Sequence, residues 1–169
     1  MKTLPPDPEL DRVTAAFIAA GARFVVVGGF AVIAHRHVRA TEDVDLLIPD
    51  DAGNDARCLV ALRALRATRF RDAAVLDDGM LLEQAHLRVL TDGGLVDLIR
   101  EGEPPLDFAS IEPAALRADL GAGEFLISGL RTVVAMKRLA GRPRDLNDLA
   151  ELEAEHGELP VDPVPGLDD

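Results

Sequence analysis

The chain has 169 residues, 48% of them hydrophobic, which is enough for one sizeable core and too little for two full domains. Its formal net charge is −12, yet Glu151–Asp169 alone carries seven acids and no Lys or Arg, so the rest of the chain stands at only −5. That balance excludes a globally basic nucleic-acid binder while leaving room for a local basic patch.

The opening residues MKTLPPDPEL place prolines and acids where a signal peptide needs an apolar stretch, and the uncharged run Phe24–Ala34 is far shorter than a membrane span. A cytoplasmic location with no membrane partner is the expectation. Asp7–Ala20 puts Leu10, Val13, Phe17 and Ala20 on one helical stripe, with Pro8 suited to the first turn and Gly21 to the stop. Arg23–Val27 reads as a short buried strand, broken by Gly28-Gly29 before FAVIAH resumes at helical spacing. Strand, glycine pair, helix is the order of a phosphate-binding turn, because close backbone approach and a helix N-terminus both favour an anion. A tight strand-to-helix turn needs glycine in any case.

Val44–Ile48 follows as a strand ended by Pro49-Asp50-Asp51, and Asn54–Thr68 as a helix with Leu59, Leu62 and Leu65 inward. Arg63, Arg66 and Arg69 make a neighbouring stripe, read as a solvated face rather than an RNA track. Cys58, the single cysteine, sits in that helix as a small buried hydrophobe. Leu87–Leu90 and Leu95–Ile99, joined by Thr91-Asp92-Gly93-Gly94, form a hairpin pattern. After the linker GEPPLD, Ile111–Leu120 is expected to be partly helical and Glu124–Ile127 partly strand. Ser128 is placed to cap the helix SGLRTVVAMKRLAG, closed by Gly141, and Pro143 opens a last helix to about His156. The expected organisation is one domain over 1–157 (core 8–100, helical part 111–156), with 158–169 a frayed, acidic, proline-rich tail.

The chemistry centres on RATEDVDLLIP, residues 39–49, where Asp43 and Asp45 stand at i and i+2. On a strand these point to one face about 7 Å apart, and such a pair is costly unless a cation lies between them or one takes up a proton. Asp97 interrupts the apolar strand GLVDLI, and a lone charge there also asks for a partner or a metal. If the hairpin lies beside Val44–Ile48, the three carboxylates converge. Three oxygen ligands suit Mg²⁺, which keeps its other positions for water and substrate phosphates. Two such ions about 4 Å apart would stabilise the attacking and leaving oxygens of an in-line displacement at phosphorus. Asp92 is an alternative third carboxylate. His35 and His37 flank Arg36, but a zinc site there lacks a nearby cysteine or third histidine. Lys137 and Arg138 suit a helix C-terminus, and Asp145 and Asp148 suit a helix N-terminus, on structural grounds alone. Asp145 is also placed to orient Lys137 or Arg39. A dinucleotide-binding reading of VVVGGFAVIA fails on the missing third glycine and on the absence of a long βαβ series.

These motifs resemble the DNA polymerase β-type nucleotidyltransferase superfamily: a Gly-Gly turn, a spacer of thirteen residues from Phe30 to Glu42, then Asp-x-Asp on a strand. The string Arg39, Thr41, Asp43, Asp45 and the late segment Met136-Lys137, Gly141-Arg142, Asp145-Leu146, Asp148-Leu149 are similar to small bacterial members related to abortive-infection and toxin–antitoxin nucleotidyltransferases. The resemblance spans roughly residues 8–156. It implies an α+β (α/β) fold with a polymerase-β-like palm, a small mixed β-sheet flanked by helices and a C-terminal helical pair.

It further implies a Mg²⁺-dependent transfer of a nucleoside monophosphate from an NTP, such as ATP, to a hydroxyl of RNA, tRNA or protein, within a toxin–antitoxin or phage-defence system. Asp43, Asp45 and Asp97 would be the catalytic metal ligands, with Asp97 helping to deprotonate the acceptor. Gly28, Gly29, Arg39, Thr41 and Lys137 would contact the nucleotide, joined by Arg144 and Arg142. With no Tyr or Trp, stacking of single-stranded RNA on aromatic platforms is not expected. A small antibiotic acceptor and the identity of the base stay open, and a cognate toxin or antitoxin partner or a homodimer would complete the acceptor surface. A different class of reading is a non-catalytic, antitoxin-like regulator that binds its partner through the acidic tail.

Overall fold

A computed structural model describes residues 4–81, 84–100 and 102–169. The elements run α1 (Leu10–Ala19), β1 (Val25–Val27), α2 (Gly28–Ala34), β2 (Asp43–Leu47), α3 (Ala52–Ala64), β3 (Thr68–Arg69), β4 (His86–Thr91), β5 (Gly94–Ile99), α4 (Phe108–Ile111), a 3₁₀ turn (Glu112–Ala114), β6 (Leu116–Asp119), β7 (Glu124–Ile127), α5 (Leu130–Ala140) and α6 (Pro143–His156). One mixed sheet takes all seven strands in the order β3-β4-β5-β2-β1-β7-β6. The expected α+β class with a mixed sheet flanked by helices is what the chain forms. No described helix is long and apolar enough to cross a membrane.

Period-two alternation splits the core between the two faces of the sheet. Val26, Val44, Leu46, Val96 and Leu98 face α1 and α3, meeting Val13, Phe17, Leu59 and Leu62. Val25, Val27 and Leu47 face the other way, toward Phe108, Ile111, Ala135 and Val164. Burying each such side chain contributes on the order of 1.5–3 kcal/mol. Asp43 and Asp45 alternate with Val44 and Leu46, so they fall on the second face. They therefore point toward α5 and α6.

Register decides what stands beside them. β2 and β5 pair in parallel with Asp45 opposite Asp97, and β1 pairs antiparallel to β2 with Val27 opposite Asp45. β4 and β5 form the expected hairpin, closed at Thr91 and Gly94, which brings Arg88 opposite Asp97. Arg88, Asp97, Asp45 and Val27 thus form one row across four strands.

Several boundaries differ from the sequence expectations. Helix α1 begins at Leu10, with Pro8 ahead of it: the preceding backbone is drawn onto the β4–β5 turn, where the Glu9 amide donates to the Gly93 carbonyl at 2.9 Å. Helix α3 starts earlier than expected because Asp51 caps it, accepting from the Asn54 amide at 2.9 Å. It ends before Thr68, which joins β3 instead. Ile111–Leu120 is helical only at its start, since Leu116–Asp119 pairs antiparallel with β7. Ser128 does not cap α5: Gly129 holds that position, and the Ser128 amide donates to the Val26 carbonyl at 3.0 Å, prolonging the β7–β1 ladder. The tail, expected to fray, lies against α5. Val164 is buried, Arg131 pairs with Asp162 at 2.7 Å, and Arg138 pairs with Asp168 at 2.8 Å.

Arg63, Arg66 and Arg69 each meet an acid, Asp78, Asp92 and Asp72 respectively, which fits an ion-paired solvent face. Cys58 is fully buried, and burial pushes its thiol up to about 12. His35 and His37 separate: His35 Nε2 bonds the Ser128 carbonyl at 2.9 Å, while His37 Nε2 lies 3.5 Å from Asp148.

Candidate active site

The second face of β2 and β5, the β1–α2 turn and the facing ends of α5 and α6 enclose a cleft of about 340 Å³. Gly28, Gly29, Arg39, Thr41, Asp43, Asp45, Asp97, Lys137 and Arg144, all singled out from the sequence, line it together. Arg142, Asp145, His86 and Arg88 complete its charged wall. Its volume is within the range of small-molecule sites.

On the floor, ligand oxygens of Asp43, Asp45 and Asp97 all lie within 4.8 Å of one another, the one such acidic or metal-ligating group among the described residues. Strand pairing fixes this: Asp43 and Asp45 share a face at i and i+2, and Asp97 is the register partner of Asp45. Asp92, the competing third carboxylate, is turned away, bound by the Arg66 guanidinium at 2.7 and 3.0 Å.

The three carboxylates are electrostatically unequal. Burial pushes Asp45 up to about 8, reinforced by the negative charges of Asp43 and Asp97. Asp43 is raised for the same two reasons, burial first and Asp97 next. Burial would also raise Asp97, but the hydrogen bonds from Arg88 and His86 outweigh it and hold Asp97 below the usual carboxylate range. Arg88 donates from Nε to Asp97 Oδ1 and from Nη2 to Asp97 Oδ2, both at 2.9 Å, and from Nη2 to Asp43 Oδ2. His86 Nε2 stands 3.1 Å from Asp97 Oδ1. Neither Arg88 nor His86 was found from the sequence. A signal was present: counting back from the closed turn at Thr91 and Gly94 puts Arg88 opposite Asp97.

The glycine pair makes space for side chains. A Cβ at Gly28, whose φ is +67°, would stand 1.9 Å from Asp45 Oδ2, and one at Gly29 would stand 2.5 Å from Thr41 Oγ1. Thr41 Oγ1 in turn donates to the Asp43 carbonyl at 3.2 Å, holding the entry to β2. Residue 28 must therefore be glycine for two independent reasons, its backbone region and its neighbour.

Across the cleft, Lys137 lies buried between two carboxylates, its Nζ 3.0 Å from both Asp145 Oδ1 and Asp148 Oδ2. Arg39 Nε lies 3.0 Å from the other oxygen of Asp148, so Asp148, wholly buried, ties the segment before β2 to α5 through α6. Asp145 also binds Arg142, whose Nε donates at 2.7 Å, and caps α6 by accepting the Arg142 amide at 3.1 Å. Although burial opposes it, Arg142 and Lys137 hold Asp145 at about 2. The cations facing open solvent on this wall are Arg142 and Arg144, and the positive charge of Arg144 lowers Asp43.

Comparison with known proteins supports the fold. The chain is similar to the antibiotic-resistance factor ANT(2'')-Ia in solution, at a TM-score of 0.59 and 12% identity over 86% of this chain and 81% of that one. It is equally similar to the crystal structure of ANT(2'')-Ia in complex with adenylyl-2''-tobramycin, at 0.58 and 12% over 86% of each chain. An antigenic nucleotidyltransferase-like protein from Paracoccidioides brasiliensis matches at 0.53 and 16%, over 89% of this chain and 77% of that one. No family model and no curated relative matches the sequence. At these identities the likeness is one of fold: a nucleotidyltransferase-like architecture.

Proposed function

We propose that this chain is a Mg²⁺-dependent nucleotidyltransferase that moves a nucleoside monophosphate from an NTP to a hydroxyl acceptor. The observation that carries it is the convergence of Asp43, Asp45 and Asp97 on one wall of a cleft whose opposite wall presents Arg142 and Arg144. The donor set fits a hard divalent ion: all three ligands are carboxylates on paired strands, and Asp45 makes no ion pair among the described residues, which leaves its oxygens open to a cation. When bound, Mg²⁺ would neutralise the triphosphate and the charge developing on the attacking and leaving oxygens.

The chain's own groups supply the rest. Arg142 and Arg144 offer exposed guanidinium groups to the phosphates. Lys137, its charge offset by Asp145 and Asp148, holds α5 and α6 together behind them, and Asp148 in turn keeps Arg39 in place. Gly28 lets Asp45 sit against the backbone of the β1–α2 turn. Asp97, on β5 beside Asp45, is assigned to the acceptor hydroxyl and accepts its hydrogen. The hydroxyl oxygen bonds to the α-phosphorus as the bond to pyrophosphate breaks, giving a phosphodiester and free pyrophosphate. Positioning and electrostatics supply the rate, with no covalent enzyme intermediate.

The adenylyl-tobramycin in one structural neighbour is itself a nucleotidylated acceptor, so a fold of this architecture accommodates such a product. RNA, tRNA, protein and small-molecule hydroxyls are the acceptor classes to compare, and a tRNA or partner-protein acceptor would be consistent with a toxin–antitoxin or phage-defence role as well as with a housekeeping one. The deciding experiment supplies each of the four NTPs, labelled at the α-phosphate, with Mg²⁺ to total RNA, lysate protein and an aminoglycoside, beside the Asp43→Ala/Asp45→Ala variant. Label that enters one fraction and vanishes with the variant supports transfer and identifies base and acceptor class. No label from any NTP sinks it.

A non-catalytic regulator is the second reading, favoured by the way Arg88 already satisfies Asp43 and Asp97. The tail offers such a regulator less than its charge suggests, since Asp162 and Asp168 are engaged by Arg131 and Arg138. Nucleotide binding without transfer, together with capture of a cognate partner, would support that reading.

A further inference from the structure

We propose that Arg88 is a built-in counter-ion of the carboxylate cluster that a divalent cation must expel, so that this one side chain sets the metal affinity of the site. The inference rests on the metal-dependent reading above and extends it to a residue outside the Gly-Gly and Asp-x-Asp motifs.

Three observations carry it. First, the guanidinium occupies the ligand atoms themselves. Nε and Nη2 take both oxygens of Asp97, and Nη2 also takes Oδ2 of Asp43. Any ion bound by Asp97 needs an oxygen that Arg88 holds, and two cations cannot share those lone pairs without repelling at contact distance. Second, the position is fixed by the backbone. Arg88 is the direct cross-strand partner of Asp97, so it is delivered to the cluster whenever the β4–β5 hairpin forms. Third, Arg88 has a way out. Its side chain is 39% exposed, and its guanidinium carbon lies 5.7 Å from the centre of the Phe70 ring, itself 47% exposed. The Phe70 contact is already made in the carboxylate-bound position, so it is the exposure of the side chain at the rim of the cleft that lets the guanidinium turn to solvent without unpacking the core.

The physical consequence is a competition. With no divalent ion, Arg88 offsets the repulsion between Asp43 and Asp97 and keeps both carboxylates aimed at one point. With the ion present, the same oxygens change partner. The measured metal affinity is then the intrinsic affinity reduced by the fraction of molecules in which Arg88 has swung away.

The test is calorimetric titration of Mg²⁺ alone, and separately of Mn²⁺ alone, into the full chain, Arg88→Gln and Arg88→Lys, with thermal melting of each protein with and without the ion. Arg88→Gln is expected to bind either ion about tenfold or more tightly than wild type, as for a competing form that holds nine-tenths of the population. Its melting temperature without metal should fall, and saturating metal should close most of the gap. Arg88→Lys keeps the charge but cannot span three oxygens from one planar group, so it should fold without metal and bind with intermediate affinity. Its intermediate affinity decides the matter if Arg88→Gln does not fold without metal. Equal or weaker binding by both variants, with wild type binding normally, would overturn the proposal and leave Arg88 a permanent neighbour of a metal site. If neither wild type nor the variants bind either ion, the metal-dependent reading falls as well and the Arg88 bridge is a structural ion pair.

Discussion

Gly28 and Asp45 compete for one volume, because the carboxylate of Asp45 fills the place where a side chain at residue 28 would begin, 1.9 Å from its Cβ position. The close approach joins the β1–α2 turn to the acidic strand, so the glycine pair and the Asp-x-Asp motif form one packed unit. Gly28→Ala must displace Asp45 and also adopt a left-handed backbone that alanine disfavours by about 1–2 kcal/mol. The variant should remain folded, melt a few degrees lower and lose about a hundredfold or more in transfer, the scale of a roughly 1 Å misplacement. Transfer rates and melting curves on one preparation check this, and wild-type transfer by Gly28→Ala would remove Asp45 from the reacting centre.

Asp45 should tie metal binding to pH. Burial and its two acidic neighbours push it up to about 8, so near neutrality, without metal, it is mostly protonated. A metal ligand must give up that proton, so divalent affinity should rise by up to about tenfold per pH unit between roughly pH 6 and 8 and flatten above. The stability of the metal-free chain runs the other way. The folded state holds the proton more tightly than the unfolded one, whose carboxylate titrates near 3.8, so stability falls as pH rises from about 4 toward 8. Asp45→Asn should abolish divalent binding and transfer while matching or exceeding wild-type stability without metal at pH 8. Titrations in buffers of different ionisation heat would show the released proton, and its absence in wild type would contradict this account.

Asp145 should report on acid stability instead. It is held down at about 2, with Arg142 and Lys137 as the stabilising partners. A depressed carboxylate contributes stability above its unfolded value near 3.8 that is lost as pH falls toward 2. Asp145→Asn should cost about 2 kcal/mol at pH 7, the worth of a shift from 3.8 to about 2, because Lys137 keeps Asp148 and Arg142 remains solvated. Its deficit relative to wild type should shrink on acidification through that window. Melting temperatures of both proteins from pH 7 to pH 2.5 test it, and a constant difference would mean that the loss is one of packing rather than charge.

What was legible in the sequence was local. Asp43 and Asp45 share a face because strand geometry has period two, α6 begins at Pro143 because proline suits a first helical turn, and the β4–β5 hairpin is announced by its glycine turn. These signals depend on neighbours a few residues away, and the mixed-sheet α+β class follows from their order. What lay beyond the sequence depended on pairing between distant segments. Leu116–Asp119 became a strand only because β7 offered it an edge, and Ser128 lost its capping role because its amide extends the ladder on β1.

The site divides in the same way. Its acidic residues could be named from the chain, since a charge within an apolar strand demands a partner wherever that strand lies. Which partner each one has was decided by the fold. The parallel register of β2 and β5 sets Asp97 beside Asp45, and the hairpin carries Arg88 between Asp97 and Asp43. The crossing of α6 behind α5 buries Lys137 between Asp145 and Asp148. The sequence by itself determined which groups carry charge and which local element presents them; only the tertiary structure decided which charges meet, because electrostatic and hydrogen-bond energies depend on distances of a few ångströms between residues as far apart in the chain as Arg39 and Asp148.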